Sequence, residues 1–122
     1  MIIRFVSIFF LLVSFASLAN DDKTLVVYHD ADYSQNASSA LAMKMGFLTA
    51  LDEVDNNIQG YEIVFKEANH RGNIKRSLVN MKRFIKDDKA LFILGGLHSP
   101  PYIKNRTFIN KNQIPLLVPW AA

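Results

Sequence analysis

The sequence predicts an α/β fold, an open parallel sheet with helices on both faces. Three observations carry this. Short apolar runs recur at residues 23–30, 61–68, 90–96 and 114–120. Segments with apolar residues at helical spacing separate them. The third run, "ALFILGG", is apolar without alternation, as a strand covered on both faces is. Strands alternating with helices of about ten or more residues argue for βαβ units and a parallel sheet. Right-handed crossovers then place helices on both faces.

Residues 1–19 stand apart. "MIIRFVSIFFLLVSFASLAN" has one charge, Arg4, then an apolar run from Phe5 to Leu18. Ser17 and Ala19 are the small residues of a cleavage site, the pattern of a secretory signal peptide, which is excluded from fold reasoning. The alternative, an uncleaved anchor, needs roughly 20 apolar residues. This run is shorter and broken by Ser7, Ser14 and Ser17. One domain, residues 20–122, is expected to follow.

"KTLVVYHD" is bounded by charge and reads as a buried strand. "ADYSQNAS" is a polar loop with several candidate caps. From Ser38 to Asn56 a helix is predicted, with Ala40, Met43, Phe47, Ala50, Leu51 and Val54 in one apolar stripe. "DNNIQG" stops it, and Gly60 ends the turn. "YEIVFKEA" is the second strand, with Tyr61, Ile63 and Phe65 on one face. After "NHRGN", Asn73 is a plausible cap. Ile74, Leu78, Met81 and Ile85 form the next stripe. The other faces carry Lys75, Arg76, Lys82, Arg83 and Lys86, read as a solvated face rather than an anion-binding one. A helix from about Pro101 to Lys111 follows the third strand, opened by proline where its missing N–H costs nothing. "IPLLVPW" is the fourth strand.

Composition excludes several functions. Without Arg4, 13 basic residues stand against 11 acidic, a net of +2. That is too small to argue for nucleic acid. There is no cysteine, hence no disulfide, thiolate metal site or cysteine nucleophile. An exported chain without disulfides fits a bacterial periplasm.

In an open α/β sheet, ligands bind at the carboxyl ends of the strands. The four such ends are "YHDADYSQ", "ANHRGN", "GLHSPP" and "PWAA", and the third and fourth are expected to face a ligand. Gly95-Gly96 permits close backbone approach. Ser99 places a hydroxyl ahead of a helix whose start offers N–H groups and partial positive charge, suited to a small anion. Ser99 serving only to cap its helix accounts for it equally well. For an enzyme, His98 and Ser99 are adjacent in sequence, which rarely aims one at the other, and no GxSxG turn is present. His29, His70 and His98 sit at three successive strand ends, where three imidazoles are a conceivable zinc set, but no HxxxH-type spacing supports a metal hydrolase. "GGLHSPP" lacks both the lysine of a P-loop and the third glycine of a dinucleotide fingerprint.

The order of "KTLVVYHD", "ALDEVDNNIQGYEIVFKEAN" and "DDKALFILGGLHSPPYIKNRTFINKNQIPLLVPWAA" resembles the first part of a type I periplasmic solute-binding protein, in its leucine-binding, branched-chain amino acid group. Gly96-Leu97-His98-Ser99 is similar to that group's G-x-x-S loop. Ile114 to Pro119 followed by Trp120-Ala121-Ala122 is similar to its proline-flanked strand and small-residue stretch. The resemblance implies a binding protein rather than an enzyme, with no cofactor. Ser99 would hold the head group of an amino acid-like solute, helped by the backbone of Trp120, Ala121 and Ala122. Tyr33 would line the cleft, and His98 would add a proton-sensitive contact. The hydroxyl that amino acid binders often carry in the last stretch is replaced here by Ala121 and Ala122.

The implied partners are a small-molecule solute and an ABC permease in the inner membrane. The expected location is the periplasm, with no membrane span after signal cleavage. The sequence covers part of the first of two lobes, so weak binding is expected of these residues alone. A half-domain of a sensory or regulatory receptor, and a non-functional fragment, are the alternatives.

Overall fold

The computed structural model describes residues 23–120. Its centre is β1 (Thr24–Ala31), flanked by β3 (Tyr61–Asn69) on one side and β4 (Ala90–Gly95) on the other, both parallel to it. β5 (Leu116–Leu117) adds in parallel beyond β4, and β2 (Asn57–Ile58) adds antiparallel beyond β3. The five-stranded order is β2-β3-β1-β4-β5. The mixed α/β fold with a mostly parallel sheet agrees with the sequence prediction, the short β2 being the exception.

Side chains alternate across a strand, so β1 feeds two cores. Val27 joins Ile63, Leu94 and Leu51, beneath α1 (Ala37–Asp52). Tyr28 joins Ile93, Met81, Phe84, Tyr102, Ile109 and Ile114. That second core is covered by α2 (Ile74–Phe84), α3 (Pro100–Lys104) and α4 (Arg106–Lys111).

The elements differ from expectation in four places. The first helix stops at Asp52, not Asn56, because Asp55 and Asn56 take left-handed φ values of 52° and 55°. The chain then makes a two-residue hairpin between Ile58 and Tyr61. Gln59 and Gly60 both have positive φ, the geometry whose twist matches paired strands. The single helix expected over 101–111 is two, divided at Asn105, whose Nδ2 donates to the Ile74 carbonyl at 3.1 Å. The last strand shrinks to two residues, since Pro115 and Pro119 have no N–H for a ladder.

The fourth difference is rotational. Asn73 caps α2 as expected, accepting the Arg76 N–H at 3.1 Å. The residues α2 buries, however, are Ser77, Asn80, Met81 and Phe84, while Ile85 is exposed. Two polar residues occupy the face the apolar stripe was expected to fill. Likewise Val54 and Ala50 of the first stripe are exposed, leaving Ala40 and Leu51 as the fully buried positions of α1.

Candidate functional site at the carboxyl edge of the sheet

The connection α1 leads from β1 to one side of the sheet, and α3–α4 lead from β4 to the other. Diverging connections leave a crevice between the carboxyl ends of the two strands. Tyr33 follows β1 there. His98 and Ser99 follow β4.

The loops around this crevice are pinned by their own polar groups. Asp32 Oδ1 accepts the N–H groups of Ser34 (3.0 Å) and Gln35 (2.9 Å), and its Oδ2 accepts Asn36 Nδ2 at 3.1 Å. Burial raises the Asp32 carboxyl, but these bonds outweigh it and hold the group below the ordinary carboxylate range. Asn69 Oδ1 accepts from the Tyr33 and Arg71 N–H groups, at 3.2 and 2.9 Å. The His70 N–H donates to the Ala31 carbonyl at 3.0 Å. A rim held this way is set before any ligand arrives.

Gly95-Gly96 has a different purpose from the expected one. The Gly96 N–H donates to the Asp30 carbonyl (3.1 Å) and to Tyr102 Oη (2.7 Å), while Tyr102 Oη donates to that same carbonyl. A Cβ at Gly96 would lie 2.8 Å from Ala31 Cβ, and one at Gly95 would lie 3.0 Å from the Tyr102 ring. The close approach is to β1 and to α3, within the protein.

The helix start is also corrected. Pro100 and Pro101 have no N–H, and the N–H groups of Tyr102 and Ile103 already donate to the Ser99 carbonyl, at 3.0 and 3.2 Å. The five-residue α3 therefore offers no open N–H in its first turn to an anion. Ser99 caps it through its carbonyl, and its side chain makes no capping bond.

Tyr33 and His98 each meet another side chain. The Tyr33 hydroxyl meets His29 Nδ1 at 2.6 Å, and the His29 ring also packs against Phe65. His98 faces His70, ring centres 6.0 Å apart, across the end of β1. Trp120 is half-exposed beyond β5. Ala121, Ala122 and the expected signal segment 1–19 lie outside the described residues. Among the described residues, no three His, Cys, Asp or Glu side chains stand in a metal-holding group.

Sequence reasoning missed the burial of three polar residues at this edge of the sheet. His29, Asp30 and His70 are all fully buried. Asp30 accepts Ser77 Oγ at 2.5 Å and Asn80 Nδ2 at 2.6 Å. This is why those two residues face inward on α2. Burial pushes the Asp30 carboxyl up, opposed by these two hydrogen bonds. The signals were "YHDAD", with a histidine and two aspartates at one strand end, and the histidines at successive strand ends.

Both histidines carry a buried Nε2 with no partner. His70 Nδ1 accepts the Gly72 N–H at 3.0 Å, so its proton sits on Nε2. Burial lowers the His29 pKa to about 4 and lowers that of His70, with Asp30 and Asp32 pulling the latter back. A depressed folded value means protonation favours the unfolded chain. Their contribution to stability is full above the ordinary histidine range and is lost as pH falls toward about 4 for His29. Asp30, raised, acts in the opposite sense. The urea midpoint is expected to fall between pH 8 and 4, with a shallower decline in His29→Gln. A flat profile would refute the buried neutral imidazoles.

No family model matches the sequence, and no curated protein matches it. Among solved structures, the fold is similar to that of a possible leucine/isoleucine/valine-binding protein from Rhodopirellula baltica SH 1, with a TM-score of 0.68 and 20% identity. The likeness covers 79% of this chain and 27% of that one. The sheet and its helices thus match a periplasmic binding protein lobe in fold. Among the described residues, no helix is long and apolar enough to cross a membrane.

Proposed function

We propose that this chain forms part of a solute-binding lobe that captures a small, amino acid-like solute at the crevice between the ends of β1 and β4. The reading continues to a periplasmic carrier, exported by its signal segment, that hands the solute to an ABC permease in the inner membrane. The observation that carries it is a prearranged rim at the topological switch point of a binding-protein-like sheet. The leucine/isoleucine/valine-binding name of the structural neighbour supports an aliphatic amino acid as the first solute to try.

In this reading the Ser99 hydroxyl bonds the polar head group. His98 and Tyr33 form the walls, and the backbone of Trp120 lies on the β5 side. The helix N-terminus contributes no direct bond, so side chains and loop backbone carry the recognition. These residues provide one jaw. The opposing contacts and water exclusion that hinge closure supplies in two-lobed binders are separate from them.

An NMR titration of the isotope-labelled chain with leucine tests this. Saturable shifts are expected at Tyr33 and at Leu97 to Ser99, with a Kd weaker than about 1 μM. Ser99→Ala is expected to weaken binding further. Absence of saturable shifts at these loops with amino acids, amides and short organic acids would defeat the reading.

A further inference from the structure

A cavity of about 240 Å³ lies on the α2 layer, lined by Asn69, Arg76, Val79, Asn80 and Arg83. It borders β3, whose outer edge is paired by β2 only at Tyr61 and Glu62. The cavity shares Asn69 with the loops around the crevice and Asn80 with the Asp30 hydrogen bonds, but its two arginines play no part in the function proposed above.

Its chemistry is one-sided. Arg76 and Arg83 are two helical turns apart, so both fall on one face of α2 with Val79 and Asn80 between them. The lining has two guanidiniums and no carboxylate. Among the described residues neither arginine enters an ion pair. The pairs present are Lys44 with Glu67 and Lys66 with Asp87. Unlike the arginines, Lys66 has an engaged ammonium, donating to Tyr28 Oη.

Asn80 adds a directional group. It is 6% exposed. Both hydrogens of its amide are spent, on Asp30 Oδ1 at 2.6 Å and on the Ala68 carbonyl at 3.0 Å. The polar atom left over is Oδ1, an acceptor. The cavity therefore offers two forked cations, one acceptor on a mostly buried side chain and an apolar wall at Val79. Guanidiniums suit planar, two-point capture of oxyanions. The acceptor suits an oxyanion that still carries a hydroxyl.

We propose that this cavity binds a soluble phosphate dianion, with Arg76 and Arg83 taking its oxygens and Asn80 Oδ1 accepting from its hydroxyl. Two positive charges balance the two negative ones. The volume admits inorganic phosphate with water.

The test is calorimetric titration of the full chain with inorganic phosphate, beside sulfate. Sulfate has the same charge at neutral pH and no hydroxyl. Saturable phosphate binding is expected, with sulfate weaker by about tenfold for the missing hydrogen bond. Arg76→Gln and Arg83→Gln are each expected to raise the phosphate Kd about tenfold, and the double variant to abolish saturation. Both arginines are exposed, so circular dichroism and the urea midpoint should stay at wild-type values. The pair Lys75→Gln with Lys82→Gln, exposed charges outside the cavity lining, is expected to leave Kd unchanged.

No saturable phosphate binding overturns the proposal, as does equal weakening by the lysine pair, which marks diffuse charge attraction. Equal affinity for sulfate overturns the role of Asn80. Arginine-dependent retention on phosphatidylglycerol vesicles without phosphate binding reassigns the cavity to a lipid surface and overturns it too. Leucine binding at the crevice is read independently of every arm.

Discussion

Gly96→Ala is expected to cost about 3 kcal/mol of stability, the upper part of the usual range for overpacking. The new methyl group would meet Ala31 Cβ at 2.8 Å and Ala31 Cα at 3.0 Å. These atoms belong to the backbone of β1 or sit directly on it, so no side-chain rotation relieves the clash. The strands cannot part without losing the Gly96 N–H bond to the Asp30 carbonyl. Gly95→Ala is expected to cost less, because its nearest atoms are the Tyr102 ring and a Val118 methyl, and side chains can shift by a few tenths of an ångström. Gly46→Ala is the control. Nothing lies within 4 Å of its Cβ position, and alanine favours a helix by up to about 1 kcal/mol. Urea unfolding orders the three. A Gly96→Ala protein as stable as Gly46→Ala would mean that β1 and β4 do not approach as described.

Asp30→Ala is expected to be comparably damaging, at about 3 kcal/mol. It strands the Ser77 hydroxyl and one Asn80 N–H in a fully buried site, each at roughly 1–3 kcal/mol before relaxation. Asp30→Asn separates charge from hydrogen bonding. Its amide can still accept from Asn80 and pair with Ser77. Burial already disfavours the charge, so a loss of about 1 kcal/mol is expected. The same unfolding series decides. If Asp30→Asn costs as much as Asp30→Ala, the negative charge holds the site together rather than the hydrogen-bond network. The consequence reaches the crevice, because the Asp30 carbonyl anchors both Gly96 and Tyr102.

The α2 helix shows how legibility ended. Its cap at Asn73 is local and was read correctly. The buried face was not, because Ser77 and Asn80 find their partner in Asp30, 47 and 50 positions earlier in the chain. A periodic apolar stripe cannot announce a polar residue that is buried only because a distant carboxylate waits for it. The hairpin at Gln59-Gly60 escaped for a simpler reason. The antiparallel pairing it closes is two residues long, too short for any period to register.

The candidate site divides the same way. Its place at the carboxyl edge was legible, since strand-helix alternation dictates parallel strands and these dictate the edge. His98 and Tyr33 were picked out as loop residues, but their engagement with His70 and His29 depends on which loops the sheet order brings together. Gly95-Gly96 was read as serving a ligand. It serves the packing of β4 against β1 and of α3 beneath it.

The sequence by itself determined the strand-helix alternation, the α/β class, the absence of cysteine chemistry and the signal pattern at the start. Each is a property of neighbours within one turn or one strand, where propensity and periodicity act. The tertiary structure alone decided that Asp30 and Asn80 are buried together and that His29 and His70 are buried as well, that the two prolines of α3 leave its first turn without an open N–H, and that two arginines of a face read as solvated line a cavity. Those outcomes rest on hydrogen bonds and packing between residues far apart in the chain, which become neighbours only once the strand order is set.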